Sequence, residues 1–149
     1  MIKVFILLVF IFTISSANDI KIDTIFGEAK KSHKHVLIFL HKPNCGYCER
    51  MIDFTLESEK VNLKIKKDFI FVDINIADTG KVSFKNFKGS RRDFAKFLGY
   101  DFYPTTIFMN KDKEIVYSQP GYQDESKYFK ILSYISSHSY EEMGIEEFK

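Results

Sequence analysis

The sequence predicts an α/β domain in which helices cover both faces of a central four- to five-stranded mixed sheet. Three observations predict it. Two runs dense in β-branched and aromatic residues, "HVLIFLH" (35–41) and "DFIFVDINI" (68–76), are separated by residues at helical spacing, the layout of a parallel β-α-β unit. Two later runs, "YPTTIFMN" and "EIVYSQ", are joined by the short polar turn "KDKE", which predicts an antiparallel hairpin at the sheet edge. The only two cysteines, Cys45 and Cys48, fall at a strand-to-helix junction directly after the first run.

Each element follows from its pattern. Residues 19–34 are polar, with Ile22, Ile25, Phe26 and Ala29 spaced by three and four, which predicts an amphipathic helix. Run 35–41 carries no alternation and reads as a strand buried on both faces. Pro43 and Asn44 end it, and Met51, Ile52 and Leu56 continue at helical spacing from the cysteines to about Glu57. Residues 58–67 predict a short helix or turn, and 68–76 a second core strand. Residues 77–89 carry Gly80, Gly89 and scattered lysines and read as an inserted loop with one short strand at 82–87. A helix is expected over 90–98, with Ser90 as N-cap and Gly99 just past its end. After the hairpin, Gly121 breaks the chain, and 123–137 predicts a closing helix with Tyr128, Ile131, Leu132 and Ile135 inward. The acidic segment 138–149 is expected to be weakly ordered or not ordered at all.

The chain has 149 residues, 45% of them hydrophobic, enough for one domain with a real core. Its 22 basic and 20 acidic residues nearly balance, which excludes a dedicated nucleic-acid binder with a strongly basic face. Met1-Ile2-Lys3 followed by an uncharged run over 4–14 and the small residues Ser15-Ser16-Ala17 has the layout of a secretory signal peptide. Cleavage is expected after Ala17, leaving a domain over 18–137 and the tail 138–149. The run is shorter than the roughly 20 apolar residues of a membrane span. Uncleaved, it would be an N-terminal anchor, the one expected route of this chain to the membrane.

Export changes how the cysteines are read, because disulfides persist outside the cytoplasm. Cys45 and Cys48 would close a very small loop, and a disulfide stabilises more when its loop is long. The pair is therefore better explained by chemistry than by stapling. A first cysteine at a helix N-terminus has its thiolate favoured by free backbone N–H groups. The thiolate is the form that attacks a disulfide. Three positions on, the second cysteine shares its helical face and can resolve the mixed disulfide. Cys45 is thus the expected nucleophile and Cys48 the resolving thiol, with Gly46 and Tyr47 setting local geometry and tuning the potential. Zinc is the rival. A structural zinc needs four ligands, and the chain offers one C-x-x-C with His33, His35, His41 and His138, and no second cysteine pair.

The strand and motif "VLIFLHKPNCGYC", the later "YPTT", the hairpin through "PGY" and the final helix together resemble the thioredoxin superfamily over residues 22–137. Small exported thioredoxin-like proteins of the SoxW-like kind are the nearest in pattern. The resemblance implies the thioredoxin fold and a thiol–disulfide oxidoreductase that needs no cofactor and no metal. It implies that Pro104 is a cis-proline facing the cysteines, and that Tyr103, Pro104 and Thr105 bind substrate. It also makes Gly121 similar to the family's glycine after the last strand. Three departures stand out. Gly46-Tyr47 replaces the Gly-Pro of thioredoxin and looks like the dipeptide of bacterial disulfide isomerases. Phe39 occupies the position of thioredoxin's buried carboxylate, so that aid to Cys48 is absent. The span before Pro104 is long and holds Lys81, Lys85, Lys88, Arg91 and Arg92, a solvated loop or a docking surface for an acidic partner.

The chain is too short for the helical insertion of DsbA-type oxidases or the extra dimerisation domain of DsbC-type isomerases. What remains is a single thioredoxin-like module, expected to be a monomeric, periplasmic disulfide reductase. Its substrates would be protein thiols and disulfides, and a membrane electron-transfer protein of the DsbD/CcdA type would recharge it. The alternatives are isomerase or oxidase activity, or a copper- or zinc-binding thioredoxin-fold protein.

Overall fold

Strand β2 (His35–His41) organises the protein, and all of it but His41 is buried. In a computed structural model describing residues 18–149, β2 pairs in parallel with β3 (Phe69–Asn75) and antiparallel with β6 (Thr105–Met109). Strand β7 (Ile115–Pro120) completes a four-stranded sheet in the order β3-β2-β6-β7. Because side chains alternate along a strand, Val36, Ile38 and Leu40 enter one core, and Leu37 and Phe39 enter the other. Helices α1 (Ile22–Ser32) and α4 (Arg91–Phe97) cover the first core. Helices α2 (Gly46–Met51), α3 (Glu59–Asp68) and α5 (Glu125–Ser136) cover the second. This is the α/β architecture expected from the sequence, and its four-stranded sheet is mixed.

Local chemistry sets the helix ends. Ser58, Ser90 and Asp124 each accept the N–H of the residue three positions on, at 3.4, 3.1 and 2.9 Å, satisfying one orphan donor per helix. Helix α4 ends at Gly99, whose φ of +89° is the left-handed conformation glycine adopts without strain. In α5, Tyr128, Ile131, Leu132 and Ile135 all face the core. The fully buried Tyr128 donates its hydroxyl to Thr106 Oγ1 at 3.3 Å.

Four features differ from the sequence reading. The expected helix over 19–34 begins with a two-residue strand β1 (Ile20–Lys21). The expected loop at 77–89 is a hairpin of β4 (Lys81–Phe84) and β5 (Phe87–Ser90), forming a second, three-stranded sheet with β1. Of the basic residues over 81–92, Lys81, Lys85, Lys88 and Arg92 are exposed, and Arg91 is not. Arg91 is buried, 3.0 Å from Asp78 Oδ2 and 3.1 Å from the Asn18 carbonyl. The helix expected to run from the cysteines to about Glu57 gives way after α2 to a π-helical turn, Ile52–Leu56, while the short helix or turn expected over 58–67 is the helix α3. The acidic tail packs down: Tyr140, Met143, Ile145 and Phe148 lie against the second core, and Tyr134 donates its hydroxyl to the Met143 carbonyl at 2.7 Å. No helix among the described residues is long and apolar enough to cross a membrane. The sequence-predicted signal peptide lies outside the described residues.

Candidate active site

Beyond β2, Asn44 takes a positive φ of 55° and turns the chain into Cys45. Cys45 is extended (φ −124°, ψ 97°) and is the N-cap of α2. Its carbonyl accepts the N–H groups of Cys48 and Glu49 at 2.9 and 3.0 Å, and its sulfur faces the Cys48 N–H at 3.3 Å. The two cysteines are joined in a disulfide with Cα atoms 5.2 Å apart. Their exposures differ: Cys45 keeps 9% of its surface and Cys48 1%. An incoming thiolate therefore meets Cys45 first.

The chain between α4 and β6 faces the disulfide. The Tyr103–Pro104 peptide is cis, and the Tyr103 carbonyl oxygen lies 3.9 Å from Cys45 Sγ. With both sulfurs bonded to each other there is no S–H to donate, so this approach is a van der Waals contact in the oxidised state. The Pro104 carbonyl accepts the Gly121 N–H at 2.7 Å. Thr105 is buried, and its hydroxyl donates to the Phe102 carbonyl at 2.7 Å. Gly121 has φ +84°, and a Cβ there would meet the Phe102 ring at 3.7 Å. Tyr103 thus sits beside Cys45, and Pro104 and Thr105 follow it into β6. Gly46 and Tyr47 point outward, with open space around Gly46 and Tyr47 66% exposed.

Phe39 is fully buried and stacks on His41 and Phe71 at centroid distances of 5.3 and 6.4 Å. Its strand neighbour in register is Asp73. His41 Nε2 lies 2.9 Å from Asp73 Oδ1, yet it has no properly directed hydrogen bond. The pair is an ion contact when His41 is protonated, not an oriented dyad. His33, His35 and His138 gather around a cavity of about 250 Å³ at the other end of β2. Among the described residues no three His, Cys, Asp or Glu groups converge as a metal site would require.

The sequence reading missed several contributors. Thr55, buried in the π-helical turn, donates to the Gln123 carbonyl at 2.7 Å, and the Gln123 N–H meets Met51 Sδ at 3.4 Å. These contacts tie the cysteine-bearing helix to the loop after β7. Tyr122 in that loop faces Tyr47 at 6.4 Å and carries the Arg50 guanidinium 5.0 Å above its ring. Phe102 lies against Gly121, where a Cβ would meet its ring at 3.7 Å. The "PGY" motif marked the loop, but nothing local in the sequence marked its partners.

A strand–C-x-x-C–helix unit with the more accessible cysteine beside an X-Pro turn defines a thiol–disulfide oxidoreductase of thioredoxin type. The chain belongs to the family described as Thioredoxin-like domain, which matches residues 22–136. Among solved structures it is similar to a thioredoxin-fold protein from Helicobacter pylori, at 26% identity over 77% of this chain and 76% of that one, with a TM-score of 0.63. It is also similar to a thioredoxin from Thermus thermophilus (18% identity, 80% and 87% covered, TM-score 0.62). A disulphide isomerase from Xylella fastidiosa Temecula1 is similar at 19% identity, with 77% and 88% covered and a TM-score of 0.58. No curated protein matches the chain.

Proposed function

We propose that this protein is an exported disulfide reductase that acts on protein disulfides through the Cys45–Cys48 couple. The observation that carries the reading is the asymmetry of the pair: the N-cap cysteine keeps 9% of its surface, and its partner, at 1%, is buried behind it. In the reduced state, the Cys45 thiolate attacks one sulfur of a substrate disulfide, and the other leaves as a thiolate. Cys48 then gives up its proton and attacks Cys45 Sγ. The Cys45–Cys48 bond forms, the mixed disulfide breaks, and the substrate has gained two electrons and two protons. Backbone N–H groups at the start of α2 favour the Cys45 thiolate. Gly46 and Tyr47 tune the couple, and Tyr103, Pro104 and Thr105 position an extended substrate segment.

Residues 1–17 act as a signal peptide cleaved after Ala17. The domain over 18–137, with its packed acidic tail 138–149, works as a monomer in the periplasm. No NADPH is available there, so a membrane protein of the DsbD/CcdA type returns the dithiol to its reduced form. The reading is tested by equilibrating the protein lacking residues 1–17 in graded thiol buffers and counting free thiols by alkylation and mass. A midpoint near thioredoxin's, about −270 mV, supports a reductase. A midpoint toward about −120 mV assigns an oxidising or isomerising role instead. Cys48→Ser should trap substrates as a mixed disulfide through Cys45, and failure to trap any removes the redox reading.

A further inference from the structure

Four aromatic side chains, Tyr47, Phe102, Tyr103 and Tyr122, and two cations, Arg50 and Lys42, form a linked collar at the Cys45–Cys48 end of the protein. Tyr47, between the two cysteines in sequence, and Phe102, next to Tyr103, are 66% and 61% exposed and place large apolar surfaces in water. Tyr122 links them: its ring faces Tyr47 at 6.4 Å, and it directly follows Gly121, on which the Phe102 ring rests. The circuit continues through the Gly121 N–H to the Pro104 carbonyl at 2.7 Å, and on to Tyr103, whose carbonyl lies 3.9 Å from Cys45 Sγ. Two cations sit on this collar. The Arg50 guanidinium lies 5.0 Å over Tyr122, and Lys42 Nζ lies 5.9 Å over Tyr103. Among the described residues neither has a carboxylate within ion-pair distance. Glu49 and Asp101, the acidic side chains adjacent in sequence to the collar, leave both cations unpaired.

Exposed apolar area next to a reacting atom is the mark of an interaction surface. A guanidinium parked on a ring keeps its charge and its free N–H groups, ready for a carboxylate. We propose that this collar is a recognition surface for protein segments whose cysteine is flanked by an aromatic or aliphatic residue on one side and by Asp or Glu on the other. The apolar neighbour covers Phe102, Tyr122 and Tyr47, and the carboxylate meets Arg50 or Lys42. The collar rests on the redox reading above, because the segment is brought there by its cysteine.

Four peptides test it, each with one cysteine capped as a disulfide with 2-mercaptoethanol and differing only in flanking residues: apolar–acidic, apolar–basic, polar–acidic and polar–basic. The reduced protein converts each to a peptide thiol and free 2-mercaptoethanol while forming its own Cys45–Cys48 disulfide, so two electrons are transferred per turnover. Every rate is divided by the same protein's rate on neutral 2-hydroxyethyl disulfide. The apolar–acidic peptide should exceed the polar–basic one by about tenfold or more, and the charge part of that preference should shrink at high salt. Arg50→Glu combined with Lys42→Glu should invert the acidic preference, and Phe102→Ser with Tyr122→Ser should remove the apolar one. Four peptides reacting within about twofold of one another, or preferences that survive these substitutions, would overturn the collar while leaving the redox reading intact. No reaction with 2-hydroxyethyl disulfide would overturn both.

Discussion

The two ends of strand β2 are built on opposite plans. At the His35 end the buried polar group is paired. His35 is 5% exposed, its Nε2 lies 3.0 Å from the Tyr140 hydroxyl, and the His138 ring stands 4.8 Å away. Glu141 in turn reaches His138 at 3.2 Å, and the tail closes over the second core. At the Cys45 end, aromatic surface faces water, cations are unpaired, and the disulfide is reachable from one side. Folding has satisfied its groups at one pole and left surface unsatisfied at the other. The difference teaches that stability and reactivity occupy separate poles of one strand, so each should respond to its own perturbations.

The largest expected effect is at the open pole. Cys45→Ala should lower disulfide reduction by at least about a thousandfold, because the attacking sulfur is gone. The loop the disulfide closes is so short that stability should fall by no more than about 2 kcal/mol. Paired kinetic and denaturant measurements on this variant check the separation. A collapse of folding along with activity would show that the open pole carries stability as well.

The closed pole should respond to pH. Burial, reinforced by the neighbouring His138, lowers the His35 pKa from 6.5 to about 4, while Glu141 pulls weakly the other way. Lys30, Lys34, Lys111 and Asp112 also line the cavity beside it. The unfolded chain therefore binds a proton at His35 between pH 6.5 and 4 that the native state refuses. Stability is full above pH 6.5 and should fall on acidification, by up to about 3 kcal/mol at pH 4 and below. Urea unfolding of wild type and His35→Gln isolates this contribution, because glutamine does not titrate. Parallel pH slopes for the two proteins would show that His35 is not the linked group. Tyr140→Phe should cost about 1 kcal/mol at pH 7 by leaving His35 Nε2 without its partner.

Much of the open pole was legible in the sequence, and much of the closed one was not. Strand β2 announced itself by an unbroken apolar run, and the junction of strand, C-x-x-C and helix placed Cys45 and Cys48. Ser90 and Gly99 bounded α4 because capping chemistry is local. The β4–β5 hairpin escaped notice because its turn uses Lys85 at φ 54° instead of a glycine. That turn is held from a distance, by the Lys85 N–H bonded to Asp23 Oδ2 at 2.8 Å. The tail was misread through its charge: its acidic residues dominate composition, while Tyr140, Met143, Ile145 and Phe148 supply the contacts. Arg50 meeting Tyr122, and Phe102 meeting Gly121, are long-range pairings with no local pattern behind them.

The smallest effect should lie where the open pole is fastened to its scaffold. Thr55→Val removes the hydroxyl that donates to the Gln123 carbonyl at 2.7 Å, with little change of side-chain shape. The Gln123 carbonyl loses that donor beside the π-helical turn, and the expected cost is about 1 kcal/mol, a fall of a few degrees in Tm. Neither group in this contact ionises, so the loss should be the same at pH 7 and pH 4.5, unlike that of His35→Gln. Thermal unfolding of the two variants at both pH values compares the poles directly. A Thr55→Val cost that changed with pH would mean that strand β2 transmits the protonation of His35 to the loop carrying Tyr122, and that the two poles are coupled.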